Sequence, residues 1–208
     1  MKVFLLYKII KRIIDFLVSL FAITILSPVL IITAIAVKTD SKGPVLFVQK
    51  RVGKDKNLFN MYKFRSMRTD TPHDMPTHLL NNPDAFITKT GKFLRKSSLD
   101  ELPQLFNILK GDMSIVGPRP ALWNQDDLIA ERDKYGANDI RPGLTGWAQV
   151  NGRDELEIDV KAKFDGEYVE RMSLPFDIKC IINTALQVIK HEGVVEGGTG
   201  TLEKSGKD

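Results

Sequence analysis

FLVSLFAITILSPVLIITAIAV, residues 16–37, is a run of 22 residues without a charge. At a rise of about 1.5 Å per residue, a straight helix of that length covers roughly 33 Å, the thickness of a bilayer core. A helix in a soluble core is seldom so long and so uniformly apolar, and the stretch reads as a membrane element. Ser27-Pro28 stands in its middle. Proline lacks the amide hydrogen and its ring clashes with the carbonyl four residues back, so a bend or break is expected there. Ser27 can hydrogen-bond a carbonyl that the break frees. Arms of 12 and 10 residues are each too short to span, which favours a re-entrant hairpin, entering and leaving by one face, over a kinked span. Lys2, Lys8, Lys11 and Arg12 precede the run, and Lys38, Lys42, Lys50, Arg51, Lys54 and Lys56 follow it. Both flanks thus have the basic character of the cytoplasmic side. Asp15, beside Lys11 and Arg12, reads as part of an interfacial pair. A cleaved signal peptide ending at Ala34-Ile35-Ala36 fits less well, because the run is too long, holds a proline and is followed by basic residues.

The whole chain has 208 residues and a net charge of +4, with 43% hydrophobic and 27% charged residues. That average excludes a disordered chain and a multi-span membrane protein, and the length suits one domain. A single cysteine, Cys180, excludes a disulfide framework and a multi-thiolate metal site. Charge is unevenly spread: residues 1–68 carry 13 Lys/Arg against three Asp, and the remaining 140 carry 17 against 23. A basic front half is expected to meet an anionic surface, here the anionic lipids of a membrane.

Beyond the apolar run, PVLFVQ and LFNMYKF are strand-like and are separated by the turn-rich RVGKDKN, which predicts a β-hairpin over 44–64. Residues 69–85 hold three prolines and read as a surface loop. Helices are predicted over about 99–109, stopped by Gly111, over about 124–135 with Gly136 after its end, and over about 155–172 and 176–190. Leu156, Val160, Phe164 and Tyr168 form a stripe on the third. Ile178, Ile181, Ile182, Ala185 and Ile189 form one on the fourth, where core is the commoner destination and a membrane surface the other. The glycine-rich residues 193–208 read as a mobile tail. The sum is a helix-rich α+β fold.

Walker A, G-x-G-x-x-G, H-E-x-x-H and G-x-S-x-G patterns are absent. His73 and His78 lack helical metal spacing and read as loop histidines; Cys180 reads as packing. What remains is the acid pair Asp100-Glu101 with rigid cations around it. Ser98-x-x-Glu101 matches a capping box, which would place both acids in a helix's first turn. Arg119 is held between two prolines, Arg141 precedes Pro142-Gly143, and Lys63 lies in the basic cluster Tyr62-Lys63-Phe64-Arg65. Stiffly presented arginines suit phosphate oxygens. A carboxylate meeting a pyrophosphate calls for a divalent cation, Mg²⁺ by preference. It can then attack phosphorus to form an acyl phosphate.

YKFRSM (62–67), SLDELPQLFNILKGDMSIVGPRP (98–120) and RPGLTGWAQVNGR (141–153) resemble the signature blocks of the bacterial sugar transferases, the small monotopic phosphoglycosyl transferases. The likeness runs from about Lys11 to about residue 190 with the blocks in the family's order. It implies transfer of a sugar 1-phosphate from a UDP-sugar to polyprenyl (undecaprenyl) phosphate with release of UMP, the first membrane step of capsule, exopolysaccharide or glycoconjugate assembly. By motif position it implies that Asp100 is nucleophile and magnesium contact, that Glu101 is its partner, and that Arg95 contacts phosphate. Substrate phosphate binding by Arg119, Arg141 and Lys63 is the accompanying expectation. Ser27-Pro28 falls on the family's hairpin break.

The resemblance further implies a re-entrant membrane hairpin over 1–37 and a catalytic domain over 38–192 on the cytoplasmic face of the bacterial inner membrane. It reads as the family's minimal catalytic form, and the sequence is compatible with a homo-oligomer. Lys56 stands where many members have glycine, so that loop is expected to differ in shape. Ala121–Gln125 resembles relatives that use N-acetylated, often 6-deoxy, sugars. Two rival readings are a membrane-anchored scaffold without chemistry and a nucleic-acid binder using the aromatic and basic residues of YKFRSMR. No recognition motif accompanies the latter, so no nucleic acid is expected.

Overall fold

A computed structural model describes residues 2–72, 83–152 and 156–190. His73 and His78, Arg153 and the 193–208 tail lie outside the described residues. The chain opens with helix α1, Lys2–Asp40, whose 39 residues stay helical through Pro28. The expected break into two arms is not found. Pro28 cannot donate to the carbonyl of Thr24, but the Ser27 hydroxyl donates to that same oxygen at 2.8 Å, so the freed acceptor is satisfied and the helix continues.

One face of α1 meets the body along its length. Asp15, Ser19 and Val37 are buried, Ala22, Ile23 and Leu26 pack on Met61, Leu105, Ile108 and Met113, and Leu30 and Ala34 pack on Phe64 and Leu94. The opposite face is uncovered and apolar, with Phe21 67% and Ile32 66% exposed. By length and composition α1 is apolar enough to cross a membrane. Its basic end, however, turns inward. Lys11 pairs with Asp177 at 2.5 Å, and Arg12 donates to the carbonyls of Ile108 and Leu109. Asp15 accepts from Ser114 Oγ at 2.7 Å and from the Ile115 amide. The expected interfacial pair with Lys11 or Arg12 is therefore corrected, because the body offers Asp15 two buried donors.

The hairpin forms as predicted. Strands β1, Leu46–Val52, and β2, Leu58–Phe64, pair antiparallel from Leu46↔Phe64 to Val52↔Leu58. Its loop holds Asp55 and Lys56 at φ 54° and 60°. Lys56 thus adopts the left-handed backbone that a glycine takes without strain.

Helices α2, Lys89–Lys96, and α3, Gln104–Lys110, flank a 3₁₀ turn at Leu99–Glu101. A single helix over 99–109 does not form. Pro103 cannot donate back along such a helix, and α3 starts just after it, where proline is tolerated. Gly111 ends α3 at φ 96° as expected. Short strands β3, Ser114–Val116, and β4, Gly143–Thr145, form a parallel ladder that the sequence did not signal. Their backbones approach so closely that a Cβ on Gly143 would lie 2.1 Å from the Gly117 amide. Helices α4, Asp126–Asp133, α5, Trp147–Val150, α6, Ile158–Arg171, and α7, Leu174–Lys190, complete the fold. On α6 only Tyr168 of the predicted stripe is fully buried, the rest of the inward face being Ala162, Asp165 and Gly166. On α7 Phe176, Asp177 and Cys180 face the core, whereas Ile178, Ile181, Ile182 and Leu186 are exposed. The core expectation for that stripe is overturned, since a polar anchor, Asp177, claims the inward face.

Candidate active site

Sequence dictates how the acid pair is presented. Thr88 caps α2 by accepting from the Gly91 amide at 2.9 Å, and Gly91 lets the helix press on Ser66, whose carbonyl would lie 1.9 Å from an added Cβ. The chain leaves α2 through Ser98, which sits at φ 55° and makes no side-chain cap. The capping box is thus a correction: Ser98 supplies a left-handed turn rather than a hydroxyl acceptor, and this non-glycine strain lies two residues before Asp100. The following 3₁₀ turn buries Asp100 and leaves Glu101 beside it.

Cations from three elements converge there. Lys63 of β2 donates to Glu101 Oε1 at 2.8 Å, and Arg119 reaches the same oxygen at 3.5 Å. Arg95, in the last turn of α2, acts on the charge of Asp100 along with both. Burial raises the Asp100 carboxyl above its ordinary range. Lys63 opposes that shift, Glu101 adds to it, and Arg95 and Arg119 oppose it more weakly. Asp100 opens onto a cavity of about 450 Å³. Lys63, Arg95, Arg51 and Arg68 give it a cationic lining, and Leu46, Val48 and Phe64 an apolar one. A buried carboxylate beside several cations and a roomy mixed cavity suits an anionic substrate carrying phosphate.

The structure therefore brings Asp100, Glu101, Lys63, Arg95 and Arg119 together. It leaves Arg141 elsewhere, with Nε donating to the Gly111 carbonyl at 2.7 Å in a separate small pocket beside Arg12. Arg65, the other cation of the 62–65 cluster, is buried and caps the end of α1 by donating to the carbonyls of Val37, Ser41 and Lys42. Lys110 binds Tyr62 Oη at 2.8 Å. The aromatic and basic residues of YKFRSM are thus largely committed within the fold.

Sequence reasoning missed Asn107. It is fully buried, accepts from the Tyr62 amide and donates to the Asn60 carbonyl, locking α3 to β2. Arg132 and Asp165, a buried ion pair at 2.6 Å, were also missed. They lie 33 residues apart with no local pattern joining them.

Among the described residues no group of three His, Cys, Asp or Glu side chains is placed to hold a metal. One buried carboxylate with its partner occupied by Lys63 and Arg119 makes no protein cage. It does fit Mg²⁺, which keeps its waters and takes one or two carboxylates together with substrate phosphates.

The family described as bacterial sugar transferase matches residues 6–191. An uncharacterized sugar transferase of Bacillus subtilis strain 168, EpsL, is 38% identical over 197 residues, covering 94% of this chain and 95% of its own. An undecaprenyl-phosphate glucose phosphotransferase of Komagataeibacter xylinus is 41% identical over 184 residues, 84% of this chain and 35% of its own. A UDP-N-acetylgalactosamine-undecaprenyl-phosphate N-acetylgalactosaminephosphotransferase of Aeromonas hydrophila is 37% identical over 191 residues, 88% of this chain and 44% of its own. The chain spans nearly all of the first relative and less than half of the other two.

Proposed function

The chain belongs to the bacterial sugar transferase family, and on that premise we propose that it transfers a sugar 1-phosphate from a UDP-sugar to polyprenyl phosphate. The single observation that carries this reading is the placement of Asp100, buried at the wall of a cationic cavity and flanked by a Glu101 that Lys63 and Arg119 hold. An Asp100 oxygen attacks the phosphorus that bears the sugar. The bond from that phosphorus to the bridging oxygen breaks, and UMP leaves with the oxygen and its electron pair. An oxygen of the polyprenyl phosphate then attacks the same phosphorus, the acyl–phosphate bond breaks, and the Asp100 carboxylate is restored with a polyprenyl-diphospho-sugar as product. Lys63 and Arg119 hold the Glu101 carboxylate, and Arg95 offers the incoming phosphates a positive wall. Asp100 and the donor phosphates would hold a Mg²⁺, whose chemistry is to neutralise phosphate charge as the carboxylate approaches.

The setting matches the substrates. The body packs along the apolar stretch of α1, and the uncovered faces of α1 and α7 are both apolar. A chain so built rests in one leaflet with its body on the cytoplasmic face of the bacterial inner membrane, where a lipid phosphate lies at headgroup level and a nucleotide sugar arrives from water. Relatives named for glucose and for N-acetylgalactosamine are about equally similar, and the proposed donor class is a UDP-sugar. Detergent-solubilised protein given undecaprenyl phosphate, Mg²⁺ and a panel of UDP-sugars should release UMP from at least one. Asp100→Asn should abolish release, and intact-mass measurement with donor alone should show a sugar-phosphate adduct on the wild type. Normal turnover by Asp100→Asn sinks the proposal.

A further inference from the structure

Five consecutive residues after β3 have a backbone group held from outside their own segment. The Gly117 amide donates to the Thr145 carbonyl at 2.8 Å, and the Pro118 carbonyl accepts from the Gly143 amide at 2.8 Å. The Arg119 carbonyl accepts from Arg132 at 2.9 Å, the Pro120 carbonyl from Arg51 at 3.0 Å, and the Ala121 carbonyl from the Val52 amide at 2.9 Å. Prolines at 118 and 120 fix two φ angles besides. The two arginines of this clamp are themselves held. Asp165 accepts from Arg132 Nε at 2.8 Å, with both side chains buried, and the buried Gln49 accepts with one oxygen from Arg51 Nε at 3.1 Å and from its terminal nitrogen at 2.6 Å. The product of this rigidity is one side chain. Arg119 leaves the clamped segment and arrives 3.5 Å from Glu101.

We infer that Arg51 is a positioning residue for Arg119, acting through the Pro120 carbonyl; the inference rests on the proposed transfer reaction only in that Arg119 serves it. Gln49 and Arg51 form one unit, in which a planar guanidinium binds Gln49 with one edge and the 117–121 segment with the other. Lysine presents a single ammonium and cannot bridge two acceptors in that fixed geometry. Arg51 also borders the cavity, so a direct contact with substrate phosphate is the competing role that an experiment must separate.

A double-mutant cycle on full-length protein does so. Arg51→Gln is expected to lower kcat/KM for UMP release by about tenfold, the scale of one lost hydrogen bond to a charged group, and by less than about twofold in an Arg119→Ala background. Arg51→Lys, which keeps the charge and tests the same point if Arg51→Gln folds poorly, should fall as far as Arg51→Gln. Equal losses in both backgrounds, or full recovery with lysine, overturn the inference in favour of direct phosphate contact. A second measurement needs no turnover. Amide hydrogen exchange at Val52, Gly117 and Gly143, the backbone donors of the clamp, should quicken several-fold in the Arg51 variants while α6 stays as protected as in the wild type. Unchanged exchange at those amides, or quickening throughout the protein, overturns it too. Should wild-type protein release UMP from no donor, the transfer reading fails while the exchange measurement still decides the clamp.

Discussion

Lys63 and Glu101 lie 38 residues apart and meet at 2.8 Å, each only 17% exposed. This ion pair ties the hairpin to the acidic turn. Removing the ammonium takes the 2.8 Å donor from Glu101, which Arg119 also reaches, and strips the strongest positive influence from Asp100. Loss of a charge-assisted hydrogen bond at a half-enclosed site costs about 1.5–3 kcal/mol, so Lys63→Met should lower kcat/KM by roughly 10- to 100-fold. Steady-state UMP release measures it. Lys63→Met activity within twofold of wild type would remove Lys63 from the site.

Asp177 joins three elements, accepting from Tyr7 at 2.7 Å, Lys11 at 2.5 Å and Tyr168 at 2.7 Å. Asp177→Asn leaves Lys11 buried without its counter-charge, and breaking one side of a buried pair costs about 3–5 kcal/mol. The expected outcome is a lower thermal midpoint in detergent and earlier proteolysis at the start of α1, with turnover at low temperature retained because Asp177 is remote from Asp100. A wild-type midpoint in this variant would show that α1 is anchored elsewhere.

How much of this was readable beforehand differs from element to element. The apolar run of α1 and the hairpin follow from local periodicity, and the acid pair from its company of stiff cations. The turn that presents Asp100 was misread, because S-x-x-E signals a cap only if a helix follows directly, and Pro103 postpones that helix to Gln104. The isoleucines of α7 show what periodicity omits: it finds an apolar face without saying what covers it. Arg132–Asp165 and Gln49–Arg51 hold the 117–121 segment from a distance, and no local pattern announces the pairing of Arg132 with Asp165 or of Arg51 with Pro120.

Cys180 offers a test of burial. Its thiol is fully enclosed, and desolvation, with the nearby Asp177 adding to it, pushes its pKa up to about 11 from the ordinary 9.0. A group whose folded pKa lies above its unfolded value stabilises the fold fully below the unfolded value. That contribution is lost as pH rises through the folded one. The wild type should therefore lose stability between about pH 9 and pH 11 relative to Cys180→Ala, over and above titrations common to both. Native protein at pH 8 should resist alkylation and react only when unfolded. Rapid alkylation of the native protein, or parallel pH–stability curves for the two chains, would contradict the enclosed thiol.

The path of α1 across or along the bilayer decides whether the body and the lipid phosphate meet on one side. Straight, its 39 residues would measure about 58 Å, far more than a hydrocarbon core of about 30 Å. The body contacts it from Tyr7, through Asp177, to Val37, through Phe64 and Leu94. A span would carry that packed body, with its buried ions, into hydrocarbon, at several kcal/mol for each polar group left without water. An α1 lodged in one leaflet avoids this, and Pro28, within its apolar run, is the place where it can bend while the Ser27 hydroxyl keeps the freed Thr24 carbonyl satisfied. Cysteines placed at Lys2 and Lys42, in a Cys180→Ala background, are expected to react with an impermeant maleimide from the cytoplasmic side only. Labelling of the two from opposite sides would establish a span and separate the catalytic body from this account of its membrane.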